Sequence, residues 1–381
     1  MCEKMNRKLL IVNQSSHSLT VEIANAFIRS GKYDEVVIAA GNKINPGFKL
    51  DDKVRVQKIK YYNTKSTITR FISWVTATIQ VIILCWFKYR LHELFLISNP
   101  PTTAFIHHFC RNKYSTLIFD VYPDGLGNFA SKKSLIFRLW AKNNRLFYKK
   151  ATYIYTLTNS MAKYVAQYCP IERIEVISLW ASPNLEVVNT PKSENKFLQA
   201  HPELQDRFII MYSGNIGMDH EMGCILKAVK EINNPMICLV FIGEGYNKPV
   251  LQKLSEDLQI QHMCKFYPFQ DLSILPYSLK SADISIVATK PNGRSSSIPS
   301  KVFDLIKLNQ PILCIAHPES EISLLVKKHA IGQTFMPDQI TEIAAFINNA
   351  FNKPDILDKY INNTRVCAPL YTNELAKQYV K

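Results

Sequence analysis

Short continuous apolar runs alternate along this chain with stretches whose apolar residues recur every three to four positions. That is the pattern of strands buried on both faces and of helices laid over them. Leu9 to Val12 reads as a first strand, the polar NQSSHS as its loop, and Val21, Ala24, Phe27 and Ile28 as the inner face of a helix. Val36 to Ala40, Leu94 to Ile97, Thr116 to Phe119 and Tyr153 to Leu157 repeat the strand signal. Strands without polar alternation predict a parallel sheet covered by helices on both faces, an α/β architecture.

The alternation is interrupted once. Val188 to Asp206 is polar and carries Pro191 and Pro202, and the cycle restarts at Phe208 with FIIMY, a Gly-bearing loop and a helix marked by Met222, Ile225, Leu226, Val229 and Ile232. Further strands are expected at Ile237 to Ile242, Lys265 to Tyr267, Ile284 to Ala288 and Ile312 to Ala316. Two domains are therefore predicted, 1–185 and 186–360, each with its own parallel sheet. Residues 361–381 are expected to form a closing helix, returning by analogy to the first domain. Ligands of such sheets bind in the loops after the strands' carboxyl ends.

The 46 Lys and Arg exceed the 31 Asp and Glu, a formal +15 that favours a polyanionic partner: nucleic acid, an anionic membrane or a phosphate-bearing substrate. Aromatic residues form no repeated nucleic-acid recognition pattern, so nucleic acid is not expected. The cysteines form no Cys-x-x-Cys, and Cys238 and Cys314 sit inside apolar runs. With an N-terminus that passes straight from a charged lead into a strand, this predicts a reduced, cytoplasmic protein.

Two segments bear on membranes. Phe71 to Phe87 lies at the short limit for spanning a bilayer, and a long buried helix is preferred over interfacial contact or a span. Between Gly125 and Ile171 there are eight basic residues and no acidic one. Within that tract Arg138, Lys142, Arg145 and Lys149 share one side of a helix while Leu135, Leu139 and Leu146 recur on another. With Trp140, Phe147 and Tyr148 nearby, anionic lipid headgroups are a candidate landing surface, which places the protein peripherally on the inner face of the plasma membrane. The competing reading is a solvated helix packed by its leucines.

Candidate chemistry lies in the strand-end loops. Gly214, Asn215 and Gly217 in SGNIG precede a helix, where glycines allow close backbone approach and a helix N-terminus attracts a diphosphate. The spacing is neither a dinucleotide fingerprint nor a phosphate-binding P-loop. Gly243 and Glu244 in FIGEG offer amides and a hydroxyl acceptor, or a plain tight turn. The loop PNGRSSSIPSK brings Lys290, Arg294, Ser300 and Lys301 together before a helix containing Asp304. Lys301 and Asp304 share a helical face, suited to phosphate and ribose respectively; an i,i+3 surface ion pair is the alternative.

In the first half, DVYPDG carries Asp120 and Asp124, either of which can orient or deprotonate an acceptor hydroxyl. Asp124, beside the turn made by Pro123 and Gly125, is favoured over Asp120, which can serve as a turn cap. His17 sits in the first strand-to-helix loop, where its neighbouring serines also suit helix capping. His107 and His108 lack metal-ligand spacing, and no metal is expected.

YSGNIG, FIGEG, ADISIVA at 282–288, IPSKVFDLIKLNQPIL at 298–313 and DVYPDG, in this order, resemble the retaining glycosyltransferase family 4, especially bacterial enzymes of surface-polysaccharide assembly. The resemblance covers almost the whole chain. It implies the GT-B type: two Rossmann-like domains facing across a cleft, the C-terminal one holding a nucleoside-diphosphate sugar and the N-terminal one an acceptor. It further implies transfer with retention, no required cofactor or metal, UDP-sugar as the leading donor with GDP-sugar open, and a lipid-linked saccharide as acceptor. Asp304 looks like the second acidic residue of the family's Glu-x7-Glu pattern and would bind ribose, with Lys301 facing the diphosphate. Ser296 stands where the first acidic residue is usual, and no Arg or Lys follows the Gly loop, so Arg294 and Lys301 are expected to supply the charge. The alternatives are a nonhydrolysing sugar-nucleotide epimerase, which shares the architecture, and a basic membrane-associated binding protein without activity.

Overall fold

The computed structural model describes residues 7–123, 134–218, 221–289 and 297–381. The chain divides into two compact units, Met1–Ser178 joined by Asn373–Lys381, and Leu179–Thr372.

The first unit is built on seven parallel strands: β1 (Lys8–Asn13), β2 (Glu35–Ala40), β3 (Val54–Lys58), β4 (Glu93–Ile97), β5 (Tyr114–Ile118), β6 (Ile154–Thr156) and β7 (Ile174–Val176). Their order, β3-β2-β1-β4-β5-β6-β7, reverses beside β1, which opens a crevice between the loops that follow β1 and β4. The apolar runs became inner strands because helices cover both faces. The edge strand β3, with alternating VRVQK and a single buried residue, carries no such run.

α1 (Ser18–Arg29) follows β1, and α2 (Thr67–Phe87) follows β3. α2 starts four residues before the apolar segment because Ser66 and Thr69 form a reciprocal capping box at its N-terminus. One stripe, Ala77, Val81, Ile82 and Cys85, enters the core of this unit. The opposite stripe, with Phe71, Ile72, Ile79, Ile83, Trp86 and Phe87, is exposed. The helix is long and apolar enough to cross a membrane by length and composition, yet only one of its faces is buried in the unit.

α3 (Leu135–Lys150) departs from the expected packing. It is Trp140, Ala141, Asn144, Phe147 and Tyr148 that turn inward, while Leu135, Leu139 and Leu146 are exposed. The leucines therefore do not pack the helix, and the three aromatics expected at a surface are core residues: the Phe147 ring stacks on Tyr114 at 4.9 Å. α4 (Asn159–Val165) completes this half.

The chain's end returns as a 3-10 segment, Asn373–Tyr379. Tyr379 is buried edge-on against Phe95 and Tyr155, with ring centroids 5.6 and 5.0 Å away, and Asn373 Nδ2 donates to Glu22 Oε2 of α1 at 2.8 Å.

The second unit has six parallel strands: β8 (Phe208–Ser213), β9 (Ile237–Ile242), β10 (Cys264–Tyr267), β11 (Ile284–Ala288), β12 (Ile312–Ile315) and β13 (Gly332–Phe335), in the order β10-β9-β8-β11-β12-β13. All six residues of β9 are buried, as its apolar run requires. α5 (Lys196–Ala200) precedes this sheet within the polar interruption. α6 (Gly223–Ile232), α7 (Lys248–Asp257), α8 (Leu275–Lys280), α9 (Lys301–Lys307), α10 (Glu321–His329), α11 (Ile340–Asn352) and α12 (Asp355–Cys367) complete the unit.

Candidate functional site

In the second unit, the loops after β8 and β9 are laced together by backbone. Gly214 N–H donates to Ile242 O (2.9 Å), Ile216 N–H to Glu244 O (2.8 Å), and Asn247 N–H to Ile216 O (3.0 Å). Such closeness demands glycine: Gly243 has φ +137°, and a Cβ there would lie 2.0 Å from Gly214 O. The glycines expected to approach a ligand are thus used first to pack one loop on the other. The helix after the first loop, α6, begins only at Gly223, so its N-terminus is six positions beyond Gly217.

This lacing holds Gly214 against Lys301, the first residue of α9. The Lys301 ammonium lies 3.5 Å from the centroid of the Tyr212 ring. Tyr212 is fixed in turn by its hydroxyl, which donates to Asn215 O at 2.7 Å. Part of the Lys301 stem is exposed, but Nζ is buried and has no hydrogen-bond partner among the described residues. Burial pushes its pKa down to about 7. A buried cation that rests on an aromatic face without a hydrogen-bond acceptor is costly unless an anion completes it.

Lys301 and Gly214 line a cavity of about 230 Å³ with Asp304, Met211, Phe269 and Gln270. Asp304 makes no ion pair with Lys301. Its Oδ1 accepts from Ser182 N–H at 2.7 Å, while Lys307 Nζ donates to Ser182 O at 2.9 Å, and burial raises the carboxyl's pKa. The surface ion-pair alternative is therefore excluded: the ammonium is buried and Asp304 is anchored elsewhere. The remaining sequence candidates among the described residues are not on the cavity wall. Glu244 is exposed and paired with Lys248 at 2.7 Å, Asn215 and Ser300 are exposed, and Gly217 is partly so. Arg294, with Lys290 and Ser296, lies outside the described residues.

Three participants were missed from sequence: Tyr212 as the seat of the ammonium, and Phe269 with Gln270 on the cavity wall. The last two directly follow β10, so the rule that ligands meet strand-end loops was the signal available.

In the first unit, Asp120 follows β5 in a recess with Ser98, Tyr122, Trp140 and Asn144. Its N–H donates to Ser98 Oγ at 3.3 Å, and although the residue keeps an exposed side, neighbouring atoms desolvate its carboxyl and raise the pKa. That direction suits a group that accepts a proton, and of the two acidic candidates from sequence Asp120 is the one among the described residues. Asp124 lies outside the described residues. His17 is exposed, its Nε2 3.0 Å from Ser15 Oγ, and no side chain caps α1. His107 and His108 contact Ala104 O and Asn143 Oδ1, and no group of three metal-ligating side chains occurs among the described residues.

Two Rossmann-like units of parallel strands, the second with a cavity lined by a cation that has no hydrogen-bond partner among the described residues, define a chain of the GT-B fold. Residues 193–366 match the family described as "Glycosyl transferases group 1". The chain is 23% identical over 239 residues to "Probable glycosyltransferase WbjE" of Pseudomonas aeruginosa, a match covering 62% of this chain and 59% of that protein. It thus spans less than two thirds of the length of this relative. The solved glycosyltransferase from Rickettsia africae has the same fold, with a TM-score of 0.75 at 12% identity over 98% of this chain and 97% of that one. So does Anabaena HepE, solved in complex with UDP and glucose, with a TM-score of 0.71 at 13% identity over 98% of both chains.

Proposed function

We propose that this chain is a glycosyltransferase that moves a hexose or N-acetylhexosamine from a nucleoside-diphosphate sugar, UDP-linked in the first instance, to a lipid-linked saccharide. The observation that carries the reading is the buried, unpartnered Lys301 ammonium on the Tyr212 ring. As the sugar–phosphate bond breaks, negative charge grows on the departing diphosphate. A fixed cation in a desolvated cavity stabilises that charge more than it stabilises the intact donor. Asp304, lining the same cavity, is the acceptor for ribose hydroxyls. The UDP found in HepE and the family matched by residues 193–366 support this choice of donor. The first unit receives the acceptor, with Asp120 orienting its hydroxyl. Retention follows if the acceptor attacks from the face the diphosphate leaves, giving its proton to a phosphate oxygen. No resident metal is assigned to the site.

The test is mass spectrometry of purified protein with a panel of UDP- and GDP-sugars and a bacterial membrane lipid extract. A lipid product heavier by one sugar residue is expected. An altered free sugar nucleotide formed without lipid would instead make the chain an epimerase.

The reading includes a membrane location. Phe87 and Leu139 are 84% and 58% exposed, on helices that also carry Arg138, Lys142, Arg145 and Lys149 or are followed by Lys88 and Arg90. Apolar burial plus attraction to anionic lipid is the physics of peripheral adsorption. Wild-type protein is expected to sediment with phosphatidylglycerol vesicles at low salt. The double variant Phe87→Glu, Leu139→Glu should partition about tenfold less at an unchanged Tm, because neither side chain is in the core. Wild-type protein left in the supernatant would remove the membrane from the proposal.

A further inference from the structure

One cavity of the first unit is not used by anything above. It has a volume of about 810 Å³ and lies at the carboxyl ends of β2 and β3, walled by residues 40–46 and 48–50 together with Val56, Lys58 and Tyr61. Its size is that of a small-molecule pocket.

The pocket is pre-formed. Gly41 N–H donates to Gln14 O at 3.0 Å, and a Cβ on Gly41 would lie 2.5 Å from Lys60 O, so the backbone there is tightly packed. Asn42 exchanges two hydrogen bonds with the backbone of Ser16, at 2.7 and 2.6 Å, tying the wall to the loop after β1. Asn25 of α1 holds the far end, donating to Lys49 O and accepting from Asp51 N–H, both at 2.9 Å.

Its chemistry is two-sided. Ile44, Phe48, Leu50, Val56 and Tyr61 give an apolar surface, and Val56 and Tyr61 are large side chains left about half exposed. Lys43, Lys49 and Lys58 also line it, with no Asp or Glu among the lining residues. The nearby carboxylate of Asp51 is already paired with Arg29 at 3.0 Å, which holds it below the usual carboxylate range. None of the three lysines has an ion-pair partner among the described residues. Three like charges around an apolar hollow repel one another until an anion joins them.

We infer that this pocket binds a phosphorylated amphiphile, a phosphate or diphosphate ester whose apolar chain lies on Phe48, Val56 and Tyr61 while Lys43, Lys49 and Lys58 hold the phosphate oxygens. Such a group comes either from a bilayer phospholipid or from a lipid diphosphate. The site is built from first-unit residues alone, shares none with the Lys301 cavity, and does not depend on the glycosyl-transfer reading.

Calorimetric titration of the full chain tests it, with monomeric geranyl diphosphate, short-chain dihexanoyl phosphatidic acid, geraniol and inorganic phosphate as probes. At least one phosphorylated lipid is expected to bind at least tenfold more tightly than geraniol or phosphate alone. The triple variant Lys43→Ala, Lys49→Ala, Lys58→Ala should lose that affinity at least tenfold while its Tm and its UDP binding stay at wild-type levels, since all three side chains are exposed. Preference for geranyl diphosphate identifies a lipid diphosphate as the ligand; equal or better binding of the phosphatidic acid identifies a bilayer lipid. Unchanged lipid binding in the triple variant overturns the proposal, as does a phosphate that binds as well without its chain. UDP binding, read on the same samples, reports separately on the second unit.

Discussion

Replacing Lys301 by methionine is expected to do two opposite things: lower turnover by about 10²–10³-fold, the usual cost of removing one group that stabilises developing negative charge, and raise the protein's thermal stability. The second effect follows because the ammonium is buried without a partner, so an apolar side chain of similar length removes a desolvation cost of about 1–3 kcal/mol. At about 2–4 °C per kcal/mol for a unit of this size, calorimetry resolves the gain. A variant that loses activity and stability together would mark Lys301 as structural support.

The same residue sets a pH signature. With its pKa near 7 in the folded protein and 10.5 as the ordinary value, Lys301 binds fewer protons folded than unfolded between these limits. Stability therefore rises with pH across that window, and the penalty for burying the charge is fully present below pH 7. Donor binding runs the other way. A diphosphate beside the ammonium raises its pKa, so binding takes up a proton and weakens as pH rises above 7. Titration of UDP into the protein in two buffers of different ionisation enthalpy should reveal that uptake at pH 8, and its disappearance in Lys301→Met. Proton uptake unchanged by this substitution would place the linked group elsewhere.

Gly243→Ala should be severely damaging to the second unit. Its Cβ would meet Gly214 O at 2.0 Å, a backbone atom that cannot rotate away, at a φ of +137° that L residues rarely adopt. We expect a loss of about 3–5 kcal/mol, seen as a Tm drop of roughly 6–20 °C, with UDP affinity falling as Gly214 is pushed from Lys301. Gly31→Ala is the control: its φ is +69°, but no atom lies within 4 Å of the new Cβ. That change should cost only about 1–2 kcal/mol. Equal losses at the two positions would show that backbone conformation, and not the contact with Gly214, governs Gly243.

Much of the architecture was legible because parallel strands buried on both faces must be apolar throughout. Leu9 to Val12, Ile237 to Ile242 and Ile284 to Ala288 admit little else. β3 and β13 escaped notice because edge strands are half solvated: VRVQK alternates, and GQTF has one buried residue of four. In the site, Lys301, Asp304 and Gly214 stood in recognisable strings, and Tyr212 stood beside Gly214 without any sign that its ring would seat the ammonium, whereas Phe269 and Gln270 arrive from another strand end and share no local pattern with them.

α3 marks the limit most clearly. Periodicity shows that leucines and cations occupy different sides of a helix, but Trp140, Phe147 and Tyr148 form a competing apolar side, and only packing against Tyr114 and its neighbours decides which turns inward. The amino-acid order by itself determined two parallel sheets, their helices and a cation at the start of α9, because these depend on local period and on burial of whole segments. Tertiary structure alone decided that this cation is buried on Tyr212 without an acceptor, that Asp304 holds Ser182 instead of pairing with it, and that glycines meet glycines across two loops. Desolvation and close contact depend on atoms far apart in the chain, and no local spacing encodes them.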